Sequence, residues 1–466
     1  MNFGPGLDAF THWLAGDHPG ILALVLGIVV VWIFPLLAVV LPVAVVGQIV
    51  ERKVAAAMQR RVGPNAVGLE GPLRFAFRTL LFFLPRPKQD RAFGAFCRAP
   101  GIAWALRVAR SLGIGQLVAD TVKMIGKEDI VPRGADGVVF RVAPYLAVIG
   151  SLLPFCALPF AQYLVMLEIP IGALYAIAIS GITVMALLMA GWGSGSKFSL
   201  LGGMRAVAQM VSYEIPVGLA VAGVVLWAGS MDLHAIVAQQ YRPGVLSFLG
   251  WNLLQSPFLF LLACVFFLAG LAECQRTPFD MAEAETELVS GFNTEYSGLR
   301  WGMFAMAEYT EMIFIGALFA TLFLGGYQSP IGEQWIVGLP VWLESIVHLT
   351  ILAAKFVLCL FVMVWIRWTL PRFRVDQVMR LCWRTLVPLC LLGLFGIAAT
   401  MLVVDAVAPG DAHGRLPAMP HVDLGFVGML LSWAIPLAGF GALTFAAWRK
   451  YGQMHPTLRS LTGGRS

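Results

Sequence analysis

Charge is the scarcest feature of this sequence. Of 466 residues only 12% are Asp, Glu, Lys or Arg, while 59% are hydrophobic. A soluble domain carries about twice that charge, so the composition excludes a water-borne globular protein. The seven cysteines, at 97, 156, 264, 274, 359, 382 and 390, never fall at C-x-x-C spacing. No disulfide framework and no zinc or iron–sulfur ligand set is expected, and Cys274 reads as a small apolar filler. Phosphate-binding loops are missing too. "GWGSGSKFSLLGG" lacks the G-K-[ST] ending of a Walker loop, and "GIGQ" lacks the third glycine of a dinucleotide fingerprint. The chain is therefore expected to hold no metal and no redox cofactor of its own. Alternation with period two is absent, which argues against a β-barrel. No internal repeat is visible, which argues against a stand-alone secondary transporter.

What is present is a series of apolar runs. A spanning helix needs about 20 mostly apolar residues. Nine stretches qualify, at roughly 20–48, 138–161, 169–191, 203–229, 256–272, 301–326, 345–369, 384–406 and 425–448. The expectation is an all-α polytopic membrane protein with a single membrane domain. The first run follows Asp8 and Asp17 rather than a basic segment and reads as a helix, not a signal peptide. Lys and Arg crowd one set of connections. Fifteen lie between the first two spans, whereas the opposite connections carry only Arg242 and Arg415. By the positive-inside rule the N-terminus is expected outside, and the long first loop and the C-terminus in the cytoplasm. The basic balance follows from this asymmetry and implies no nucleic-acid partner.

The first loop, about 49–137, has three parts. A basic segment leaves span one. A middle piece at 72–112 mixes apolar, aromatic and basic residues. Then "GQLVADTVKMIGKEDIVP" reads as an amphipathic helix, with Ile114, Leu117, Val118, Val122 and Ile125 on one face and Asp120, Lys123 and Lys127 off it. Such a helix lies in the membrane interface or packs on a partner protein.

Ionisable residues inside spans cost about 2.5–3.5 kcal/mol each on insertion scales and are functional candidates by default. Span four holds Arg205 and Glu214, on roughly opposite faces at 100° per residue. Pro216 frees a backbone carbonyl there, a place for water. Span six holds Glu308 and Glu311, one turn apart. Two carboxylates so placed cannot easily both ionise in a low dielectric. Span seven holds His348 and Lys355, whose roles stay open. Between spans five and six, six of the 26 acidic residues gather from Glu273 to Glu295. Asp280 and Glu283 read as a helix N-cap and its reciprocal partner, with Arg276 and Arg300 neutralising part of the remainder.

Five stretches carry a resemblance: "ERKVAAAMQRRVGPNAVG", "KEDIVPRGAD", "GWGSGSKFSLLGGMRAVAQMVSYEIPVGL", "AECQRTPFDMAEAETELVSGFNTEYSGLRWGMFAMAEY" and "RWTLPRFRVDQVM". In this order they resemble the H subunit of bacterial NADH–quinone oxidoreductase, respiratory complex I. The resemblance implies a membrane subunit that forms part of a quinone channel and couples quinone reduction to proton translocation. Glu51, Arg52, Arg60 and Arg61 would line the channel, with Lys197 and Arg205 nearby. Glu273, Arg276, Phe279, Asp280, Glu283, Glu285 and Glu287 would form a loop beside bound quinone, continued by Glu295, Tyr296 and Arg300. Glu214, Glu308 and Glu311 would carry protons onward. Flavin and iron–sulfur clusters would belong to partner subunits, which include hydrophilic quinone-site subunits and membrane-arm subunits. The resemblance also implies a bacterial inner-membrane location in contact with lipid. The chain departs from the family pattern in the 72–112 segment, which reads as an insertion, in Glu311 and in the ninth span. The homologous subunit of a membrane-bound hydrogenase or formate hydrogenlyase is the nearest alternative, a proton-coupled transporter a more distant one.

Overall fold

A computed structural model describes residues 41–64, 97, 106–107, 113–241, 247–281, 289–336 and 340–407. Among the described residues the chain is helical, and its β-structure is one isolated bridge between Pro159 and Val165. Six helices are long and apolar enough to cross a membrane: 137–157, 172–193, 197–228, 298–323, 343–369 and 375–402. They fall on six of the nine predicted spans. The seventh, predicted at 256–272, is a helix of 17 residues, Pro257–Glu273. Most of the first predicted span, all of the ninth and nearly all of the 72–112 segment lie outside the described residues.

The local signals explain the helix ends. Helix α1 (Leu41–Met58) leaves the first apolar run, and α2 (Ile114–Gly126) is the expected amphipathic helix. In α3 (Gly137–Leu152) the Asp136 carboxylate accepts from the N–H groups of Val138 and Val139, a side-chain N-cap. The predicted second span runs on to 161, but the α-helix gives way at Leu153 to a 3-10 turn with Pro154 at its start. Helices α4 (Gly172–Gly193) and α5 (Lys197–Ala228) follow. Helix α5 ends at Gly229, whose φ of +68° suits a residue without Cβ. Short α6 (Leu233–Gln239) precedes α7 (Pro257–Glu273), which Ser256 caps and Pro257 starts. Helix α8 (Gly298–Phe323) is the most enclosed span: 61% of its apolar stretch is buried, against 22% for 375–402. It therefore stands inside the bundle. Helix α9 (Val341–Thr369) stops before Pro371, with Leu370 already extended. Helix α10 (Val375–Leu381) passes through a π-turn, Cys382–Leu386, into α11 (Val387–Val407).

Lipid removes the hydrophobic drive for helix–helix contact, so close approach through small residues has to replace it. Helices α4 and α5 meet at Gly191 and Gly203, where a Cβ on Gly191 would stand 3.0 Å from the Gly203 Cα. Buried Ala186, Ala190 and Ala206 continue that seam. The π-turn is matched to Pro216 of α5. Proline leaves the Ser212 carbonyl without its helical N–H. The Cys382 thiol lies 3.0 Å from that oxygen as its donor. The carbonyl that the proline frees thus accepts from a thiol, and the Cys390 thiol of α11 donates to the Pro216 carbonyl at 3.4 Å.

Candidate functional site

At the end of the bundle that carries Arg52, α2 lies across the start of α8. Arg52 pairs with Asp120 at 2.7 Å, and Gln116 donates to the same carboxylate at 2.9 Å. The polar side of α2 therefore faces the protein, while Val122 and Ile125 of its apolar stripe point away and are exposed. Beyond α2 the Ser297 hydroxyl donates to the Glu128 carbonyl at 3.1 Å, and Arg300 pairs with Asp129 at 2.8 Å. Gly298, with φ +58°, gives the room: a Cβ there would lie 3.3 Å from the Lys127 carbonyl. These contacts enclose a pocket of about 460 Å³ lined by Arg52, Lys123, Lys127, Tyr296 and Trp301 among others. Tyr296 is fixed by stacking on Phe140 at 4.1 Å and by donating to the Phe140 carbonyl at 3.2 Å. Burial pushes its phenol up from the ordinary tyrosine range.

The stretch that leaves α7 turns back into the protein. Gln209 of α5 donates to the carbonyls of Ala272 and Phe279, at 2.7 Å each, and pins both ends of the turn. Phe279 is buried between Tyr213 and Phe373, with ring centroids 5.8 and 5.6 Å away. Asp280 accepts from Arg372 at 2.7 Å. Arg276 is buried, pairs with Glu308 at 3.0 Å and sits 4.3 Å over the Tyr309 ring. The Tyr309 hydroxyl in turn donates to Glu51, which Arg367 also holds. One connected series thus runs Arg367, Glu51, Tyr309, Arg276, Glu308. It joins α1, α8, α9 and the turn after α7.

Three further carboxylates continue from this series. Glu273, the last residue of α7, is 6% exposed, and its Oε2 has no hydrogen-bond partner. Glu311 and Glu214 both lie close enough to act on it electrostatically. Ser180 of α4 is beside Glu273, and Thr183 is beside Glu311. Glu214 presents a buried Oε1 that also lacks a partner. Among the described residues, no basic side chain is among the groups acting on these three acids.

Several sequence expectations change in this geometry. Glu308 and Glu311 differ in their partners: Arg276 pairs with Glu308, while Glu311 lies near Glu273 and Glu214. Arg300 pairs with Asp129, across to the end of α2. Glu273 belongs with the buried acids rather than the loop surface. Arg60 and Arg61 are exposed, and Arg61 donates to Gln59 at 2.6 Å. Lys197 is exposed at the start of α5, while Arg205 and Glu295 are half-buried. Glu283, Glu285 and Glu287, with the helix Asp280 was expected to cap, lie outside the described residues. Toward the other end, Lys355 donates to the carbonyls of Leu324, Gly326 and Gln328 at 2.6, 2.8 and 2.7 Å. His348 is fully buried, 3.3 Å from Glu333. Sequence reasoning passed over Tyr309, Arg367, Asp120, Gln275 and Arg372. A charged residue near the end of a span, as Arg367 is, was the available signal. Among the described residues no group of His, Cys, Asp and Glu is arranged to hold a metal.

Residues 30–83 and 105–398 match the family model described as NADH dehydrogenase. The stretch between them falls inside the segment read as an insertion. The chain is 38% identical to the H subunit of NADH-quinone oxidoreductase from Anaeromyxobacter dehalogenans (strain 2CP-C), over 76% of this chain and 86% of that protein. It is 40% identical to the protein of the same name from Geobacillus kaustophilus (strain HTA426), over 77% and 90% of the two chains. A third of that name, from Chlorobaculum parvum (strain DSM 263 / NCIMB 8327), is 36% identical over 84% of this chain and 97% of its own. With the six spans and the motifs in family order, these matches establish that this multi-pass membrane chain belongs to the NADH dehydrogenase family, among the H subunits of NADH–quinone oxidoreductase.

Proposed function

We propose that this chain is the membrane subunit of a proton-translocating NADH–quinone oxidoreductase in which quinone chemistry at one membrane face is passed to buried carboxylates. The observation that carries the reading is the connected series Arg367, Glu51, Tyr309, Arg276, Glu308 and its continuation into Glu311, Glu273 and Glu214. The basic end of the bundle faces the cytoplasm, as the charge asymmetry requires. The pocket of about 460 Å³ under α2 serves as the mouth of the quinone channel. Its size is within the range of small-molecule sites, and the exposed Val122 and Ile125 set α2 against lipid, from which an isoprenoid tail enters. Arg52 and Asp120 hold α2 over that mouth, and Arg60, Arg61, Lys197 and Arg205 give its surroundings a positive potential.

Electrons arrive from partner subunits that carry flavin and iron–sulfur clusters; this chain supplies no redox group. Quinone reduction creates negative charge that takes up protons. Two unit charges 4 Å apart interact by about 4 kcal/mol at an effective dielectric of 20. That is enough to redistribute protons among acids lacking fixed cations. Arg276 is the point of transfer, because it belongs both to the turn after α7 and to Glu308 of α8. Glu214, Glu308 and Glu311 then carry protons toward the membrane-arm subunits.

The test is Glu214→Gln in intact membranes. The expected result is retained NADH–quinone reductase activity with at least a halving of protons moved per electron. Wild-type pumping in that variant would remove Glu214 from the path.

A further inference from the structure

A cavity of about 20 Å³ lies where α4, α8 and the turn after α7 meet, bounded by Thr183, Gln275, Asn293, Glu308 and Glu311 among others. One water needs about 10–15 Å³ of such space and two to four polar partners. The cavity therefore has the size of a single water, and its polar wall supplies the partners. Gln275 provides the independent observation. It is 6% exposed, it lines this cavity, and its Nε2 has no hydrogen-bond partner. A buried amide N–H without a partner is uncommon in folded proteins and calls for an acceptor. Its backbone φ of +53° is a region that residues with a Cβ rarely adopt. That turn brings the side chain to the cavity wall between buried Cys274 and buried Arg276.

We propose that this cavity is a binding site for one water molecule, which the Gln275 side-chain amide holds between the carboxylates of Glu308 and Glu311. The amide N–H donates to the water oxygen, whose second lone pair accepts from the protonated carboxyl while one water hydrogen is directed at the ionised carboxylate. A proton then crosses in one balanced exchange. The O–H bond of a protonated carboxyl breaks as a new O–H forms on the water. One of the water's own O–H bonds breaks as its proton goes to the second carboxylate. The water is left unchanged, and one proton has moved between Glu308, which Arg276 holds, and Glu311, which has no cation. Gln275 acts through the water and is a positioning residue. The water site rests on the cavity and the amide alone; its use in proton transfer rests on the function proposed above.

The experiment uses the assembled complex in membrane vesicles. A density map that resolves buried waters should show one water within hydrogen-bond distance of Gln275, Glu308 and Glu311. Gln275→Leu should abolish that density and lower protons moved per electron at least twofold, while Gln275→Asn, which keeps an amide, should retain more of the ratio. An empty cavity in a map that shows other buried waters overturns the site, and a wild-type ratio in Gln275→Leu overturns its use in proton transfer. If Gln275→Leu fails to assemble, the wild-type map decides the site, and the Gln275→Asn ratio decides its use. Failure of the functional reading has a different signature: the water is present while Glu214→Gln and Glu308→Gln both pump normally.

Discussion

The two ends of helix α8 treat buried charge in opposite ways. Beyond its C-terminus, the Lys355 ammonium donates to three carbonyls and lies 4.6 Å over the Trp251 ring. Leu324 is the residue that caps the end of α8 and the other two carbonyls belong to the turn beyond it, so a cation there also answers the helix dipole. Glu333 nearby has both His348 and the Ser329 N–H. Toward the other end, Glu273, Glu311 and Glu214 have no basic group acting on them among the described residues. A charge bound by fixed backbone has one arrangement and serves to hold the chain together. Carboxylates without a cation can gain or lose a proton without breaking an ion pair. The first kind of region is a plug; the second is suited to respond.

Breaking the responsive end at Arg276 should have the largest effect. Arg276→Met takes from half-buried Glu308 the guanidinium that pairs with it at 3.0 Å. Removing one member of a buried pair costs about 3–5 kcal/mol, so quinone reductase activity should fall at least tenfold in membranes with equal complex content. Next comes the plug. Lys355→Met leaves three carbonyls without a donor, at a cost of about 3 kcal/mol. The expected outcome is a lower thermal midpoint of the purified complex with an unchanged ratio of protons to electrons. A fallen ratio there would erase the contrast between the two ends. Glu311→Gln should do the reverse, lowering that ratio while shifting the thermal midpoint little, because no ion pair is lost. Arg52→Ala should be the mildest for stability, within about 0.5 kcal/mol, since an exposed pair such as Arg52–Asp120 contributes little. A stability change above about 1 kcal/mol would show that the pair does more than hold α2 over the pocket.

Much of this contrast was legible in outline. Glu214, Glu308, Glu311 and Lys355 stood out because each is an ionisable residue in an apolar run. Their partners did not stand out. Arg276 pairs with Glu308 of a different helix, and Arg300 pairs with Asp129 at the end of α2. Helical periodicity relates residues on one helix and says nothing about which face of another helix lies opposite. Gln275 gave no signal at all, because a polar residue in a loop is ordinary until its surroundings prove buried. The Pro216 kink makes the same point: the sequence shows the freed carbonyl but not the thiol 170 positions away that donates to it.

By itself the sequence determined where helices cross apolar space, since about 20 uncharged residues leave a chain few alternatives to spanning. It also determined which charges are costly enough to need a purpose, and the motif order that marks the family. Only the tertiary structure decided which cation meets which acid. Arg367 and Glu51 are 316 positions apart, and their meeting depends on the packing of α1 against α9 and α8. Ion pairs form over a few ångströms, so their identity belongs to the packing of helices rather than to any one of them.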